Sequence, residues 1–232
     1  MAATPVFFLP GLLEDAGAFR HQIERLGNIA PCSVADLTGA DSIAGLANAA
    51  LQQAPEGRVC LAGHSMGGYV ALEMIRQAPD RVERLALLNT HARPDTPEAT
   101  ENRKRLMALA ERDFPEVIRA LIPKLVAEEH ASDSAMAGVI TRMALATGKD
   151  AFLRQERAII GRIDSRPHLA AIRCRTLVVA ARHDALMPVA ILEELARGIP
   201  DSALAIVEHS GHMASIEQPG EVARLLQAWL EG

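Results

Sequence analysis

One stretch of sequence decides the fold: RVCLAGHSMGGYVAL, which runs from Arg58 to Leu72. An apolar strand pattern leads directly into a G-x-S-x-G motif centred on Ser65, and a helical pattern follows at once. Such a sharp connection strains the backbone of the serine, and Gly63 and Gly67 remove side chains that would collide there. The stretch predicts that Ser65 is a nucleophile above the edge of a sheet. On the motif alone, a glycine-rich turn whose serine merely caps the helix remains the alternative.

Apolar strand patterns recur along the chain, and amphipathic helical patterns separate most of them. This alternation indicates an α/β fold with a parallel sheet covered by helices on both faces. Right-handed crossovers then place the carboxyl ends of all strands, and with them the functional loops, at one edge. The predicted strands are Val6–Leu9, Ser33–Leu37, Val59–Ala62, Leu85–Asn89, Thr176–Ala181 and Ala203–Glu208, and the predicted helices are Ala16–Leu26, Ile43–Gln53, Met66–Gln77, Val189–Arg197 and Pro219–Leu230.

Residues 91–172 interrupt the alternation, because 82 residues pass without a strand pattern. Thr96 followed by Pro97 is a typical helix start. By count the segment carries 13 basic and 12 acidic residues. We expect a core formed by residues 1–90 and 173–232, with a helical cap formed by residues 91–172. The predicted cap helices are Glu98–Arg112, Pro115–Glu128, Ser134–Ala146 and Asp150–Ile163.

A serine is a weak nucleophile unless a base and an orienting carboxylate accompany it. Asp184 and His212 each follow a strand pattern, so both are expected at the same sheet edge as Ser65. Ser, Asp, His is also the chain order of one hydrolase architecture. His209 is the alternative base, and Gly211 is expected to allow a tight turn that aims His212 at the serine. No HExxH motif or carboxylate cluster accompanies the two histidines, so no metal is expected.

The reaction also needs two hydrogen-bond donors for an oxyanion. The candidates are the backbone N–H groups of Met66, next to the serine, and of Leu12, in the loop after the first strand. That loop also fits an ordinary strand–helix turn. Apolar side chains near these positions predict a mainly apolar pocket. Its candidate lining residues, each of which could equally serve packing alone, are Leu13, His91, Met187 and Met213.

The chain resembles the α/β-hydrolase superfamily, in its compact bacterial carboxylesterase-like branch, over essentially its whole length. The resemblance implies a catalytic triad of Ser65, Asp184 and His212, with the amides of Leu12 and Met66 as the oxyanion hole. The segments that carry it are FLPGLLEDAGAF, ADLTGADSIAGLA, LAGHSMGGYVALEMIRQAPDRVERLALLNT, LVVAARHDALMP and HSGHMASIEQPGEVARLLQAWL.

The sequence departs from this family in two places. Pro10-Gly11 stands where the family usually has His-Gly, which keeps the amide but alters the loop. The chain also starts at what resembles the family's third strand, so we expect about six parallel strands and no antiparallel edge pair.

The resemblance specifies the reaction only broadly, because one triad serves many chemistries. We expect hydrolysis of a small or medium carboxylic ester without a cofactor. The alternatives are a thioesterase, a lactonase, a C–C bond hydrolase, or a receptor-like relative that binds a ligand with little turnover. A dehalogenase of this fold would carry Asp in place of Ser65.

Composition sets the remaining expectations. The formal net charge of −5 gives no indication of nucleic acid or an anionic membrane as partner. No apolar run approaches the ~18 residues of a transmembrane helix, and no secretion signal is evident. The three cysteines form no disulfide or metal pattern. We expect a cytoplasmic protein, monomer or homodimer, whose partner is a small-molecule ester.

Overall fold

The computed structural model describes residues 3–232, in which six strands form one sheet. The strand order is β2-β1-β3-β4-β5-β6, and every neighbouring pair is parallel. The predicted α/β fold with about six parallel strands is therefore confirmed, and the carboxyl ends of the strands share one edge. The strands are β1 (Val6–Leu9), β2 (Cys32–Val34), β3 (Val59–His64), β4 (Val82–Leu88), β5 (Arg175–Ala181) and β6 (Ser202–Val207).

Helices cover both faces of the sheet. Side chains alternate along a strand, so Phe7 and Leu9 of β1 belong to one apolar cluster, while Val6 and Phe8 belong to another. Helices α2, α3 and α8 pack in the first cluster, and α1 and α10 pack in the second. These helices are α1 (Arg20–Leu26), α2 (Ile43–Gln53), α3 (Met66–Gln77), α8 (Val189–Gly198) and α10 (Pro219–Glu231), with the short α9 (Ala214–Glu217) before the last.

Four further helices lie between β4 and β5. Thr96 begins the first of them, because its side chain accepts the Ala99 N–H at 3.1 Å and Pro97 occupies the first helical position. Their apolar faces form a third cluster, which includes Leu13 from the loop after β1. That contact attaches the four helices to the carboxyl edge of the sheet. They are α4 (Pro97–Ala110), α5 (Phe114–Leu125), α6 (Ser134–Thr147) and α7 (Lys149–Ile160).

Local hydrogen bonding shifts some predicted bounds. The second strand ends at Val34, before the predicted Leu37, because Asp36 starts a side-chain turn by accepting the Thr38 N–H at 2.9 Å. The first predicted helix begins as a 3₁₀ turn that Asp15 caps. Helix α5 ends at Leu125, where the backbone becomes extended, two residues after an internal proline. Among residues 3–232, none of the helices has the length and apolar character that crossing a bilayer requires.

Candidate active site

Ser65 lies at the turn between β3 and α3 with φ 50° and ψ −115°. A side chain at positive φ is strained, and such strain is typical of functional turns. The flanking glycines make the turn possible. A Cβ at Gly63 would lie 2.5 Å from the Gly67 carbonyl oxygen, and a Cβ at Gly67 would overlap the carbonyl oxygen of Leu9. The sequence motif predicts glycine at these two positions for this steric reason.

The structure brings Ser65, His212 and Asp184 together. The Ser65 Oγ lies 2.9 Å from His212 Nε2, and His212 Nδ1 lies 2.8 Å from Asp184 Oδ2. The carboxylate accepts a hydrogen bond from the Nδ1–H group, which leaves the Nε2 lone pair facing the serine hydroxyl. The alternative base, His209, is exposed and lies 3.3 Å from Glu129. The geometry of a general base therefore belongs to His212.

Asp184 is buried, and both of its carboxylate oxygens are hydrogen-bonded. Oδ1 accepts the backbone N–H groups of Leu186 and Met187, each at 2.9 Å, and Oδ2 also accepts from the Asn89 amide at 2.9 Å. Burial alone raises the pKa of Asp184, but His212 and these hydrogen bonds outweigh it and lower the pKa to about 2. Asp184 is therefore an anion at neutral pH.

The sequence pattern predicts no role for Asn89. It directly follows β4, is fully buried, and has φ 47°, a region that asparagine tolerates better than most residues. Its side-chain nitrogen donates to Asp184, which makes it a positioning residue for the carboxylate. The available signal was a polar residue at the carboxyl end of an otherwise apolar strand. That signal indicates that Asn89 lies at the carboxyl edge of the sheet, but it does not indicate that Asn89 contacts Asp184.

The loop after β1 leaves one amide free at the predicted position. The Gly11 N–H donates to Glu14 Oε2 at 2.7 Å, and the Leu13 N–H donates to the Gln155 side chain at 3.1 Å. Within residues 3–232, the N–H groups of Leu12 and Met66 have no hydrogen-bond partner. These two amides are the predicted oxyanion donors, and they remain available for a ligand.

His64 connects that loop to the candidate base. Its Nε2 lies 2.8 Å from the His212 carbonyl oxygen and its Nδ1 lies 2.8 Å from Glu14 Oε1. A carbonyl only accepts hydrogen bonds, so Nε2 carries a proton. Burial lowers the pKa of His64, but the Glu14 carboxylate outweighs it and the pKa is raised. His64 thus contacts the backbone of the base and not the serine hydroxyl. Nothing in the sequence pattern indicated Glu14 as its partner.

Gly211 has a different role from the one predicted. It is not among the glycines with positive φ, so it supplies no special turn conformation. A Cβ at Gly211 would instead lie 2.5 Å from the Ala127 nitrogen and 2.6 Å from the Val126 carbonyl carbon. The prediction of a tight turn was wrong. Gly211 permits the close approach of the segment that follows α5.

A cavity of about 360 Å³ adjoins Ser65 and His212. Helices α4 to α7 contribute much of its lining, mostly aliphatic side chains such as Leu106 and Ile118. In the part of the chain that the structure describes, no cluster of three or more His, Cys, Asp or Glu side chains has the arrangement of metal ligands. The four predicted pocket residues all line the cavity: Leu13, His91, Met187 and Met213.

Comparison with known proteins agrees with this architecture. The chain is 29% identical to a putative carbamate hydrolase, RutD, of Azorhizobium caulinodans, over 94% of this chain and 88% of that protein. It is 27% identical to a pimeloyl-[acyl-carrier protein] methyl ester esterase of Aromatoleum aromaticum, over 80% and 78%. The structure of a thermophilic esterase from Thermogutta terrifontis superposes with a TM-score of 0.90 at 30% identity, covering 99% of this chain and 90% of that one.

A family model supplies the assignment. The model of the alpha/beta hydrolase fold matches residues 4–219, which is nearly the whole chain. The resemblance inferred from the sequence is therefore confirmed, and the chain belongs to the α/β-hydrolase fold family.

Proposed function

We propose that the protein is a serine hydrolase that cleaves small or medium carboxylic esters through an acyl-enzyme intermediate. One observation carries the proposal. A continuous hydrogen-bonded chain from Ser65 Oγ through His212 to Asp184 adjoins a largely apolar cavity. Nucleophile, base and orienting carboxylate are thus arranged before any substrate arrives.

In the first half-reaction, Ser65 Oγ attacks the ester carbonyl carbon while its proton passes to His212 Nε2. The carbonyl oxygen becomes an oxyanion, which the N–H groups of Leu12 and Met66 stabilise. The ionised Asp184 stabilises the imidazolium that forms. The C–O bond to the alcohol then breaks, the alcohol takes the proton from His212, and the acyl group stays on Ser65.

The second half-reaction reverses the roles. A water molecule attacks the acyl carbonyl carbon and gives its proton to His212 Nε2. The tetrahedral species collapses with cleavage of the bond to Ser65 Oγ, which takes the proton back. The carboxylic acid leaves and the resting state is restored. Each cycle consumes one ester and one water, and no cofactor takes part.

We further propose that residues 91–172 act as a cap that sets substrate size. Helices α4 to α7 contribute aliphatic side chains to the cavity. This lining favours the binding of an apolar acyl chain and the exclusion of water. A volume of about 360 Å³ suits a small or medium ester better than a long-chain lipid. The substrate would be a small molecule, and the three free cysteines fit a reducing, cytoplasmic setting.

A second candidate reaction is carbamate hydrolysis. It is favoured by the similarity to the putative carbamate hydrolase of Azorhizobium caulinodans. A carbamate carbonyl could be attacked by Ser65 in the same way, with nitrogen or oxygen leaving with the proton from His212. Thioesters and lactones would follow the same steps with a different leaving group.

Steady-state turnover tests the proposal. We expect p-nitrophenyl acetate and butyrate to be hydrolysed over many turnovers, with kcat/KM falling for chains of about twelve carbons. Ser65→Ala should retain the fold and lose on the order of 10⁶ in kcat. Carbamate, thioester and lactone analogues measured in parallel would rank the alternatives. Release of p-nitrophenol that stops near one equivalent would contradict the enzyme and favour a binding protein.

A further inference from the structure

A buried carboxylate contacts the loop that carries the candidate base. Glu217 belongs to the short helix α9, and its side chain is 0% exposed. Among residues 3–232, no lysine or arginine side chain forms an ion pair with it. A carboxylate that is buried without such a partner needs hydrogen-bond donors around its oxygens. Its neighbours therefore show what this side chain holds in place.

Three nitrogen atoms surround the Glu217 carboxylate. Oε1 accepts the Gly211 N–H at 2.9 Å. Oε2 accepts the Ala127 N–H at 2.7 Å, and His130 Nδ1 lies 2.9 Å from the same oxygen. Residues 126–130, which follow α5, are called the post-α5 segment. One side chain thus connects this segment to the loop of the candidate base.

The backbone of the base is held at three consecutive residues. Gly211 and Met213 flank His212, and the Met213 N–H donates to the Leu125 carbonyl oxygen at 2.9 Å. The carbonyl oxygen of His212 itself accepts from His64 at 2.8 Å. Two of these three contacts lead, directly or through the buried carboxylate, to the end of α5 and to the post-α5 segment. The place of the imidazole therefore depends on helices outside the sheet.

The geometry at position 217 requires a carboxylate and not merely a polar side chain. A carboxylate has only acceptors, whereas a glutamine amide has one oxygen and an NH₂ group with two donors. Both oxygens of Glu217 face backbone N–H groups of buried residues, Gly211 and Ala127. An amide would turn its NH₂ group toward one of these N–H groups in either orientation. Two donors would then face each other, and one of the two segments would lose its anchor.

We infer that Glu217 is a positioning residue for His212, which fixes the backbone before the base and ties it to the post-α5 segment. It acts through the base, because its oxygens bind Gly211 and Ala127 and not the Ser65 hydroxyl. Helix α5, whose side chains line the cavity, thereby helps to set the distance between base and nucleophile. This inference rests on the proposed ester hydrolysis and adds a residue to its machinery.

The rate of fluorophosphonate labelling in Glu217→Gln tests the inference. This reagent reports how well the base activates Ser65, and it needs no ester turnover. We expect labelling of the folded variant to slow by roughly tenfold or more, since misplacing a group by ~1 Å can cost on the order of 10² in rate. A folded Glu217→Gln that is labelled at the wild-type rate would overturn the inference.

A purely structural role would change stability without changing the chemistry. Glu217→Gln should lower Tm in either case, so labelling is measured well below Tm, where circular dichroism shows a folded variant. The matched control is Glu221→Gln on α10, where the side chain is 42% exposed and pairs with Arg224. It makes the same chemical change nearby and should be labelled at the wild-type rate. Equal slowing in the two variants would contradict a specific role for Glu217.

Steady-state kinetics separate positioning from substrate binding. His212 acts in both half-reactions, so its displacement should slow acylation and deacylation together. For p-nitrophenyl butyrate, we expect kcat of Glu217→Gln to fall roughly tenfold while KM stays within about twofold of the wild-type value. A raised KM at the wild-type kcat would show that Glu217 shapes the pocket and does not position the base.

A second variant keeps the test independent of how well glutamine folds. Glu217→Asp retains the carboxylate but withdraws it by one methylene group, which lengthens both backbone contacts. If Glu217→Gln does not fold, labelling of Glu217→Asp should still be several-fold slower than that of the wild type. Wild-type labelling of a folded Glu217→Asp would then count against the inference.

A spectroscopic signal keeps the test independent of turnover. The downfield proton resonance of His212 Nδ1–H, identified by its loss in His212→Ala, should shift in Glu217→Gln and stay in place in Glu221→Gln. If the wild-type protein hydrolyses no ester but this shift is seen, the proposed hydrolysis fails and the positioning role stands. If esters are hydrolysed and neither the labelling rate nor the resonance changes in Glu217→Gln, only the positioning role fails.

Discussion

His64 donates a hydrogen bond from Nε2 to the backbone carbonyl oxygen of His212, at 2.8 Å. The residue before the candidate nucleophile therefore holds the backbone of the candidate base. On the other side of the ring, Glu14 binds His64 Nδ1 and also accepts the Gly11 N–H. One buried chain of hydrogen bonds thus sets the position of the base relative to the oxyanion loop.

Changes at Glu14 should separate hydrogen bonding from charge. In Glu14→Gln, the amide oxygen can accept the Gly11 N–H while the NH₂ donates to a neutral His64, so we expect a loss of about 1 kcal/mol or less. Glu14→Leu leaves both partners buried and unsatisfied, and we expect about 3–5 kcal/mol. Urea unfolding of both variants measures the difference. Equal losses would show that the carboxylate charge matters more than its hydrogen bonds.

Asn89 should affect the reaction through Asp184. Asn89→Gly tolerates the positive φ but loses the hydrogen bond to the carboxylate, so we expect kcat to fall roughly tenfold with the fold retained. Asn89→Ala loses the same bond and adds backbone strain of about 1 kcal/mol. Thermal unfolding should therefore rank alanine below glycine. A glycine variant with the wild-type kcat would remove Asn89 from the positioning of Asp184.

The backbone contact at Gly67 should tolerate no side chain. A Cβ there would overlap the carbonyl oxygen of Leu9, which belongs to β1, a strand held between β2 and β3. We expect Gly67→Ala to be insoluble or unfolded by circular dichroism. The control is Gly138→Ala in α6, where a Cβ would lie 3.5 Å from Arg142 and a gain of about 0.5–1 kcal/mol is expected. A folded Gly67→Ala would contradict the close approach of the turn to β1.

The lowered pKa of His91 predicts acid destabilisation. Because the folded value is about 4 and an unfolded histidine titrates near ~6.5, the unfolded chain binds the extra proton between these pH values. His91 therefore reduces stability as pH falls from about 6.5 to 4. The effect should be of the order of 2 kcal/mol, since the side chain is only partly buried. Urea unfolding at pH 7 and pH 4.5 should show a smaller difference in His91→Gln than in the wild type. Identical pH dependence would contradict the burial of a neutral His91.

The succession of strands and helices along the chain and the residues at the strand ends could be predicted because they depend on local patterns. Ser65 is fixed by the glycines beside it, and Asp184 and His212 follow strands whose parallel arrangement brings their ends together. The same logic identified the free amides of Leu12 and Met66. These inferences use only periodicity, turn chemistry and the geometry common to parallel sheets.

The supporting contacts could not be predicted, because each depends on where distant segments meet. Asn89 and Asp184 are 95 residues apart, and Glu14 and His64 are 50 apart. The role predicted for Gly211 was wrong for the same kind of reason. A glycine before a functional histidine fits a tight turn, whereas the structure uses its missing side chain to admit Val126. Such choices are set by tertiary packing and not by local sequence.

The central claim, that Ser65 is the nucleophile, is tested most directly by mass spectrometry after reaction with a fluorophosphonate. Peptide mapping of the labelled protein should place one covalent adduct on Ser65. Labelling should be lost in Ser65→Ala and slowed by several orders of magnitude in His212→Ala, because the base activates the hydroxyl. An adduct on any other residue, or a wild-type protein that remains unlabelled, would contradict the account.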